Sequence, residues 1–170
     1  PYVAYINSDA GNSVTVKAYT SGWISYGSAN FTPPVSVDAA RYNTLSMDGY
    51  NDAGTLKLFV AYVDPADGNR VHVKWKNGAA DWADLGGVVY NYAVAASSID
   101  ISVINETAAY VIFTANTYLP VVCRWNGSYW TDLTPSIFAC NSKHNSIHAV
   151  SENEIYAAYV NDDTDKAIAA

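Results

Sequence analysis

Short apolar runs recur along the chain and predict a repeated β unit. Four tetrads, YVAY, FVAY, YVIF and YAAY, begin at Tyr2, Phe59, Tyr110 and Tyr156, at intervals of 57, 51 and 46 residues. Each run has the length of a short strand and is rich in aromatic or β-branched residues, which favours a strand over a helix. The tetrads therefore predict several copies of one β unit.

A second, alternating segment and a tryptophan follow each of the first three tetrads. In Val71–Lys76 the apolar positions alternate with His and Lys, the pattern of a half-exposed strand. The closing tryptophans lie 21, 23 and 20 residues after the tetrad starts, at Trp23, Trp82 and Trp130. Asn-Gly pairs at 77–78 and 126–127 predict tight turns. One more candidate strand precedes each later tetrad, at 43–48, 99–105 and 146–151.

Units of four antiparallel strands and about 45 residues are typical of β-propeller blades. A β-sandwich would not require the same tetrad, turn and tryptophan to recur in register. The sequence therefore predicts an all-β fold with about fourteen strands, or three and a half blades. The predicted blade parts of this single propeller-like domain are 1–27, 43–87, 97–134 and 144–170.

The blade count has a consequence for assembly. Closed propellers have 4–8 blades, so about three and a half blades would leave unpaired edges that favour self-association. The first part lacks an innermost strand and the last lacks an outermost one, so we expect head-to-tail pairing between chains. The chain begins at Pro1 without a Met, which predicts a processed or excised form.

The repeat as a whole resembles a known class of protein. The order Y-V-A-Y, an Asp/Asn turn, V-x-V-K and N-G-x-x-W is similar to the repeats of secreted microbial β-propellers. It is more distantly similar to Asp-box propellers and to lectin propellers with W-N-G-x-x-W hairpins, which Trp125 to Trp130 match here. The Asp-box pattern S-x-D-x-G-x-x-W itself is not matched. The resemblance implies a propeller fold and covers essentially the whole chain.

Composition and charge exclude several classes of function. Half of the residues are hydrophobic and 15% are charged, which argues for a folded core. The net charge of −7 would repel nucleic acid and anionic lipid. No apolar stretch is longer than the six residues of Ala108–Phe113, which is too short to insert into a membrane. Five Trp and fourteen Tyr, with many Ser, Thr and Asn, are typical of an extracellular or cell-surface β protein.

Catalytic motifs are missing from the sequence. Glycoside hydrolysis usually requires two carboxylates that face one sugar. Glu occurs only at Glu106, Glu152 and Glu154, beside predicted hairpins, and most Asp residues lie in turns. There is no nucleophile elbow, P-loop or dinucleotide fingerprint. The chain is therefore not expected to be an enzyme.

Two sets of residues leave alternatives open. Asp64, Asp67 and Asn69 gather oxygen atoms in one turn and are a candidate Ca²⁺ site, although turn geometry alone also favours Asp and Asn there. Apart from calcium, no cofactor is expected. Cys123 and Cys140 match no metal-binding spacing and are either a disulfide pair or two free thiols.

Aromatic residues near predicted linkers and strand ends favour a binding function. Their rings can stack on sugars while Asp and Asn accept hydroxyl hydrogen bonds. The candidate ligand-binding residues are Trp23, Trp82, Trp130, Tyr42, Tyr90, Tyr92 and His144. The tryptophans have the alternative role of packing anchors between blades.

These observations lead to three functional hypotheses. The first is a non-catalytic extracellular binding module for a glycan or surface polymer, lectin-like or adhesive. The second is a structural subunit of an extracellular ring, fibre or surface layer, built by edge-to-edge pairing. The third is a fragment of a larger propeller, such as a glycoside hydrolase.

Overall fold

The computed structural model describes residues 1–35, 44–93, 98–134, 138 and 140–169. These residues form fourteen β-strands and one short 3-10 turn, at Ser8–Ala10. The strands are β1 (Tyr2–Asn7), β2 (Ser13–Tyr19), β3 (Trp23–Ser25), β4 (Leu45–Asp52), β5 (Thr55–Asp64), β6 (Arg70–Asn77), β7 (Ala83–Val88), β8 (Asp100–Asn105), β9 (Ala108–Thr114), β10 (Pro120–Trp125), β11 (Trp130–Asp132), β12 (Ser142–Ser151), β13 (Glu154–Asn161) and β14 (Lys166–Ala169). None of the described residues belongs to a helix that is long and apolar enough to cross a membrane.

The strands form four antiparallel sheets in chain order. The first sheet is β1-β2-β3, the second β4 to β7, the third β8 to β11, and the fourth β12-β13-β14. Within each sheet, every strand pairs with the one before it in the sequence, which is the topology of a meander. The prediction of an all-β fold is confirmed, and the sheets have three, four, four and three strands.

The tetrads of the two middle sheets are buried on both faces. Along β5, Phe59 and Ala61 pack toward the third sheet, while Val60 and Tyr62 pack toward the first. Along β9, Val111 faces the second sheet and Ile112 the fourth. Successive side chains of a strand point to opposite faces, so a strand between two sheets must be apolar at every position.

The outer sheets are covered on one side only. In the first sheet Tyr2 and Val3 are each 40% exposed, and in the fourth sheet Tyr156 is 54% exposed. The tetrads of these two sheets have the same apolar pattern as the middle ones, yet one of their faces meets solvent. Their sequence therefore does not distinguish a strand buried on two faces from one buried on a single face.

Side chains on the first strands of the sheets hold neighbouring sheets in register. Asp48 Oδ2 accepts a hydrogen bond from the backbone N–H of Val103 at 2.7 Å. One interface further along, Asp100 Oδ2 accepts one from the N–H of Ile147 at 2.9 Å. Ser46 and Ser102 hydroxyls accept the N–H groups of Ile101 and Ala149 in the same way. Each interface thus uses one carboxylate and one hydroxyl to satisfy backbone donors that have no strand partner on that side.

Salt bridges also link neighbouring sheets, near the first hairpin of the third sheet and of the fourth. The Lys57 ammonium group binds Glu106 at 2.7 Å and Asp52 at 2.9 Å, and links the second sheet to the third. Arg124 binds Glu152 at 2.5 Å and links the third sheet to the fourth. Because both glutamates occupy the first hairpin of their sheet, the ion pairs mark the same edge of each interface.

Candidate functional site

The closing tryptophans of the second and third sheets each bind the preceding sheet. Trp82 Nε1 donates a hydrogen bond to the Tyr26 carbonyl oxygen at 3.3 Å, and Trp130 Nε1 donates one to the Leu85 carbonyl oxygen at 2.8 Å. The acceptor Tyr26 lies three residues after Trp23, and the acceptor Leu85 lies three residues after Trp82. The two indoles therefore act as equivalent links between neighbouring sheets.

Their ring faces are used differently. Trp82 stacks on Phe31, with ring centroids 4.1 Å apart and an interplanar angle of 9°. Phe31 thus covers one face of the indole. Trp130 instead lines an open cleft between the second and third sheets.

We call this space the aromatic cleft. It has a volume of about 290 Å³ and opens to solvent between β7 and β11. Four of its nine lining residues are aromatic. The lining residues are Gly86, Val88, Val89, Tyr90, Asn91, Tyr92, Tyr129, Trp130 and Asp132.

Glycine makes the close approach of the two sheets possible. Gly86 has a φ of 73°, in the left-handed region, and a Cβ at this position would overlap the ring of Trp125. It lies in β7, where the pairing with β6 shifts register between His72 and Lys74. The irregularity lets Trp125 pack under the cleft, where its ring lies 5.6 Å from that of Trp130.

A tight turn positions the most exposed ring of the third sheet. Asn126 Oδ1 accepts hydrogen bonds from the backbone N–H groups of Ser128 and Tyr129, both at 3.0 Å. This turn holds Tyr129 at the rim of the cleft with 63% of its surface exposed. On the other rim, Tyr92 is 69% exposed and its ring lies 5.4 Å from that of Tyr90.

Polar groups at the cleft include the Asp132 carboxylate, the Asn91 amide and phenol hydroxyls. Asp132 Oδ1 accepts the backbone N–H of Thr134 at 2.8 Å, which fixes the orientation of the carboxylate. Burial, and secondarily the negative charge of Asp132, raises the pKa of Tyr90. The Tyr90 hydroxyl therefore stays protonated at neutral pH and can both donate and accept.

The structure brings together three of the predicted ligand-binding residues, Tyr90, Tyr92 and Trp130. Trp82 lies at the previous interface under Phe31, and Trp23 is half exposed on the first sheet beside Tyr19. His144 lies on β12 in the fourth sheet and is not among the residues that line the cleft. The remaining candidate, Tyr42, lies outside the described residues.

Sequence reasoning missed Tyr129 and Asp132. A signal was available for Tyr129, because it is an aromatic residue that directly precedes the closing tryptophan in a tight hairpin. Asp132 follows the tryptophan by two residues, so strand alternation places both on one face. Neither pattern by itself shows whether this face of the sheet is exposed to solvent or covered by other side chains.

The predicted calcium-binding turn is held by protein contacts. Asp64 Oδ1 accepts the backbone N–H groups of Ala66 and Asp67. The Asp67 carboxylate binds Arg70 and also His72 Nε2, the latter at 2.7 Å. Arg70 in the first place, and His72 in the second, lower the pKa of Asp67. Asn69 has a φ of 59°, which serves the turn.

The carboxylates of Asp64 and Asp67 therefore both have protein partners, and these contacts stabilise the turn. Across the described part of the chain, no three His, Cys, Asp or Glu side chains are grouped as ligands of a metal ion. The calcium site remains a prediction from the sequence.

The disulfide alternative is wrong, because both cysteines are free thiols. Cys123 is fully buried in the core between the second and third sheets, whereas Cys140 packs against the core between the third and fourth sheets. The third sheet separates them. Cys140 Sγ lies 3.5 Å from the hydroxyl of Tyr159 instead.

Comparison with known proteins identifies the fold only. No protein-family model matches the chain, and no curated protein does. A solved structure, a fucose lectin from Kordia zhangzhouensis in complex with methyl-fucoside, superposes with a TM-score of 0.58 at 11% sequence identity. The match covers 79% of this chain and 89% of the lectin. The chain is therefore similar in fold to that lectin.

Proposed function

We propose that this chain is a non-catalytic carbohydrate-binding protein and that the aromatic cleft is its ligand site. The observation that carries the proposal is a cleft lined by two exposed tyrosines, Tyr92 and Tyr129, together with Trp130 and the Asp132 carboxylate. Aromatic faces stack on the C–H faces of sugars, and a carboxylate accepts hydrogen bonds from their hydroxyl groups. The likeness in fold to a fucose lectin supports the same function.

The size of the cleft supports a small ligand. A volume of about 290 Å³ lies at the lower end of the range for ligand pockets. It suits one sugar unit better than a large cofactor. Because Trp130 is fixed by its hydrogen bond to Leu85, the main stacking surface is ordered before the ligand arrives.

Binding without hydrolysis agrees with the arrangement of the carboxylates. Asp52 and Glu106 flank another cavity, but both bind the Lys57 ammonium group. They thereby serve as ion-pair partners between sheets. A glycosidase pair instead requires one carboxyl group as proton donor and a second as base or nucleophile.

The proposal extends to architecture and location. Four sheets that pack in chain order, with side-chain to backbone hydrogen bonds at matching positions of successive interfaces, support the interpretation as consecutive blades of a β-propeller. An extracellular or cell-surface location, proposed from composition, would give such a module access to glycans or surface polymers.

Titration with sugars tests the ligand site. Methyl glycosides of fucose, galactose, mannose, glucose and N-acetylglucosamine would be titrated into the protein by calorimetry. The Tyr129→Ala variant should lose at least ten-fold in affinity for the sugar that binds, because it removes one stacking face without touching the core. Tyr156→Ala is the matched control, since Tyr156 is similarly exposed on the fourth sheet.

Two results would contradict the proposed site. One is the absence of binding to any methyl glycoside or to a broad glycan array. The other is equal affinity of the Tyr129→Ala variant and the control.

A second candidate function, self-assembly, is favoured by the distribution of exposed apolar residues. Trp23 and Ile24 on the first sheet are 51% and 53% exposed, and Val150 on the fourth sheet is 54% exposed. An exposed apolar sheet face favours association with another surface. We expect a sedimentation coefficient that rises with concentration and that Ile24→Ser lowers. A compact monomer at all concentrations would exclude assembly and leave glycan binding untouched.

A further inference from the structure

A second cavity adjoins the aromatic cleft. It has a volume of about 350 Å³ and is lined by Tyr90, Tyr92, Ala93, Ala115, Asn116 and Thr117. Two of these residues, Tyr90 and Tyr92, also line the cleft. The two spaces therefore adjoin at one pair of tyrosines.

The shared tyrosines are anchored from below. The Tyr90 ring lies 5.6 Å from that of Phe113, which is buried in the core between the second and third sheets. Tyr92 packs against Tyr90 and leaves most of its own ring exposed. The pair thus forms a fixed ridge between the two spaces, with an aromatic surface available to both.

The far wall of the second cavity is a hydrogen-bonded turn. The backbone N–H of Tyr118 donates to the Ala115 carbonyl oxygen at 2.8 Å, and the N–H of Ala115 donates to the Leu119 carbonyl oxygen at 2.9 Å. The N–H of Asn116 donates to the Ala93 carbonyl oxygen at 3.3 Å and ties the turn to the segment after Tyr92. The wall is therefore formed by backbone structure that does not depend on a ligand.

We propose that the second cavity is a second sugar subsite, so that the ligand is an oligosaccharide of at least two units that crosses Tyr92. This inference rests on the proposed function of the aromatic cleft. The partly exposed methyl group of Ala93 offers a surface for the apolar face of the second sugar, or for a methyl group that it carries. The exposed side chains of Asn116 and Thr117 supply an amide and a hydroxyl for its polar groups.

The chemistry of the two spaces differs in a way that separates their roles. The aromatic cleft has a carboxylate, Asp132, which accepts hydrogen bonds from hydroxyl groups. The lining of the second cavity is uncharged and includes two alanines. The first subsite therefore favours a sugar rich in free hydroxyls, and the second tolerates a deoxygenated or N-acetylated unit.

Affinities for short and long ligands test the inference. The probes are the five methyl glycosides used above and, for the glycoside that binds best, disaccharides that carry the same sugar at the non-reducing end. We expect the best disaccharide to bind at least ten-fold more tightly than the methyl glycoside. Asn116→Trp should fill the second cavity and reduce disaccharide affinity to that of the methyl glycoside, without a change in affinity for the methyl glycoside itself.

Controls separate a local effect from a change in folding. Asn153→Trp places the same side chain on an exposed turn of the fourth sheet and should change neither affinity. Asn116→Ala removes only the amide and should weaken disaccharide binding several-fold. Thermal unfolding of each variant reports whether the fold is intact.

The outcomes distinguish this inference from the proposed function. If no sugar binds, both are wrong. If the methyl glycoside binds, but disaccharides bind no more tightly and Asn116→Trp changes nothing, the second subsite is excluded and the aromatic cleft stands. Loss of binding to both probes in the Asn116→Trp variant, with the fold intact, would also overturn the assignment of separate subsites.

Discussion

The indole nitrogen of Trp130, in the third sheet, lies 2.8 Å from the carbonyl oxygen of Leu85, in the second sheet, and donates a hydrogen bond to it. Leu85 is only 5% exposed, so its carbonyl oxygen has little access to water as an alternative donor. The bond therefore fixes both the spacing of the second and third sheets and the orientation of the Trp130 ring toward the cleft.

Replacing this donor should reduce stability. We expect Trp130→Phe to lower the free energy of unfolding by about 1 kcal/mol, because it keeps an aromatic ring but leaves the Leu85 carbonyl oxygen without its partner. Trp82→Phe is the matched variant at the preceding interface, where the bond is longer at 3.3 Å. Urea unfolding measures both, and a Trp130→Phe protein as stable as the parent would contradict a stabilising role for the bond.

Asp100 should be the most sensitive carboxylate at the interface of the third and fourth sheets. Its Oδ2 accepts the N–H of Ile147 at 2.9 Å and its Oδ1 accepts the Ser46 hydroxyl at 2.8 Å. Asp100→Ala should lower the free energy of unfolding by about 2 kcal/mol, because it leaves a partly buried backbone donor unpaired. Hydrogen exchange should show lost protection at the Ile147 amide.

The matched control for this change is Asp9→Ala, at an exposed position of the 3-10 turn. It should leave stability within a few tenths of a kcal/mol. Equal effects of the two substitutions would show that Asp100 does not link the sheets.

Asp81 predicts a dependence of stability on acid pH. The Ser28 hydroxyl, and then the backbone N–H groups of Ser28 and Trp82, lower the pKa of Asp81 to about 2. The unfolded chain would have a pKa of about 3.9 for this group. Because the folded value is the lower one, the contribution is present above about pH 4 and is lost as the pH falls toward 2.

Comparison with Asp81→Asn isolates that contribution. The variant should melt at a lower temperature than the parent at pH 7, and the difference should shrink as the pH falls from 4 to 2. Melting temperatures at pH 2, 3, 4 and 7 provide the measurement. A difference in melting temperature that is constant over this pH range would mean that the ionised Asp81 carboxylate does not stabilise the folded protein through its contacts with Ser28 and Trp82.

The two thiols should differ in reactivity. Cys123 is completely buried, and burial raises the pKa of its thiol. It should therefore resist Ellman's reagent and iodoacetamide until the protein unfolds. Cys140 is partly exposed and should react first in the native protein. Mass spectrometry without a reductant should detect two free thiols, and a mass two hydrogens lower would restore the disulfide alternative.

The sequence by itself determined the strands and their order. Apolar tetrads, alternating segments and Asn-Gly turns are local signals, because side-chain direction in a strand repeats every two residues and tight turns require particular residues. For this reason the three, four, four and three strands could be predicted from the printed order of residues. The equivalence of Trp82 and Trp130 was also visible as a spacing.

Only the tertiary structure decided which repeated residue meets a ligand and which is covered. Trp82 and Trp130 both follow an Asn-Gly turn, but Phe31, from the segment after β3, stacks on the first, whereas the second lines an open cleft. The separation of Cys123 from Cys140 by the third sheet was hidden for the same reason. Strand patterns specify the faces of one sheet, while the occupancy of a face depends on side chains contributed by other parts of the chain, which local periodicity does not encode.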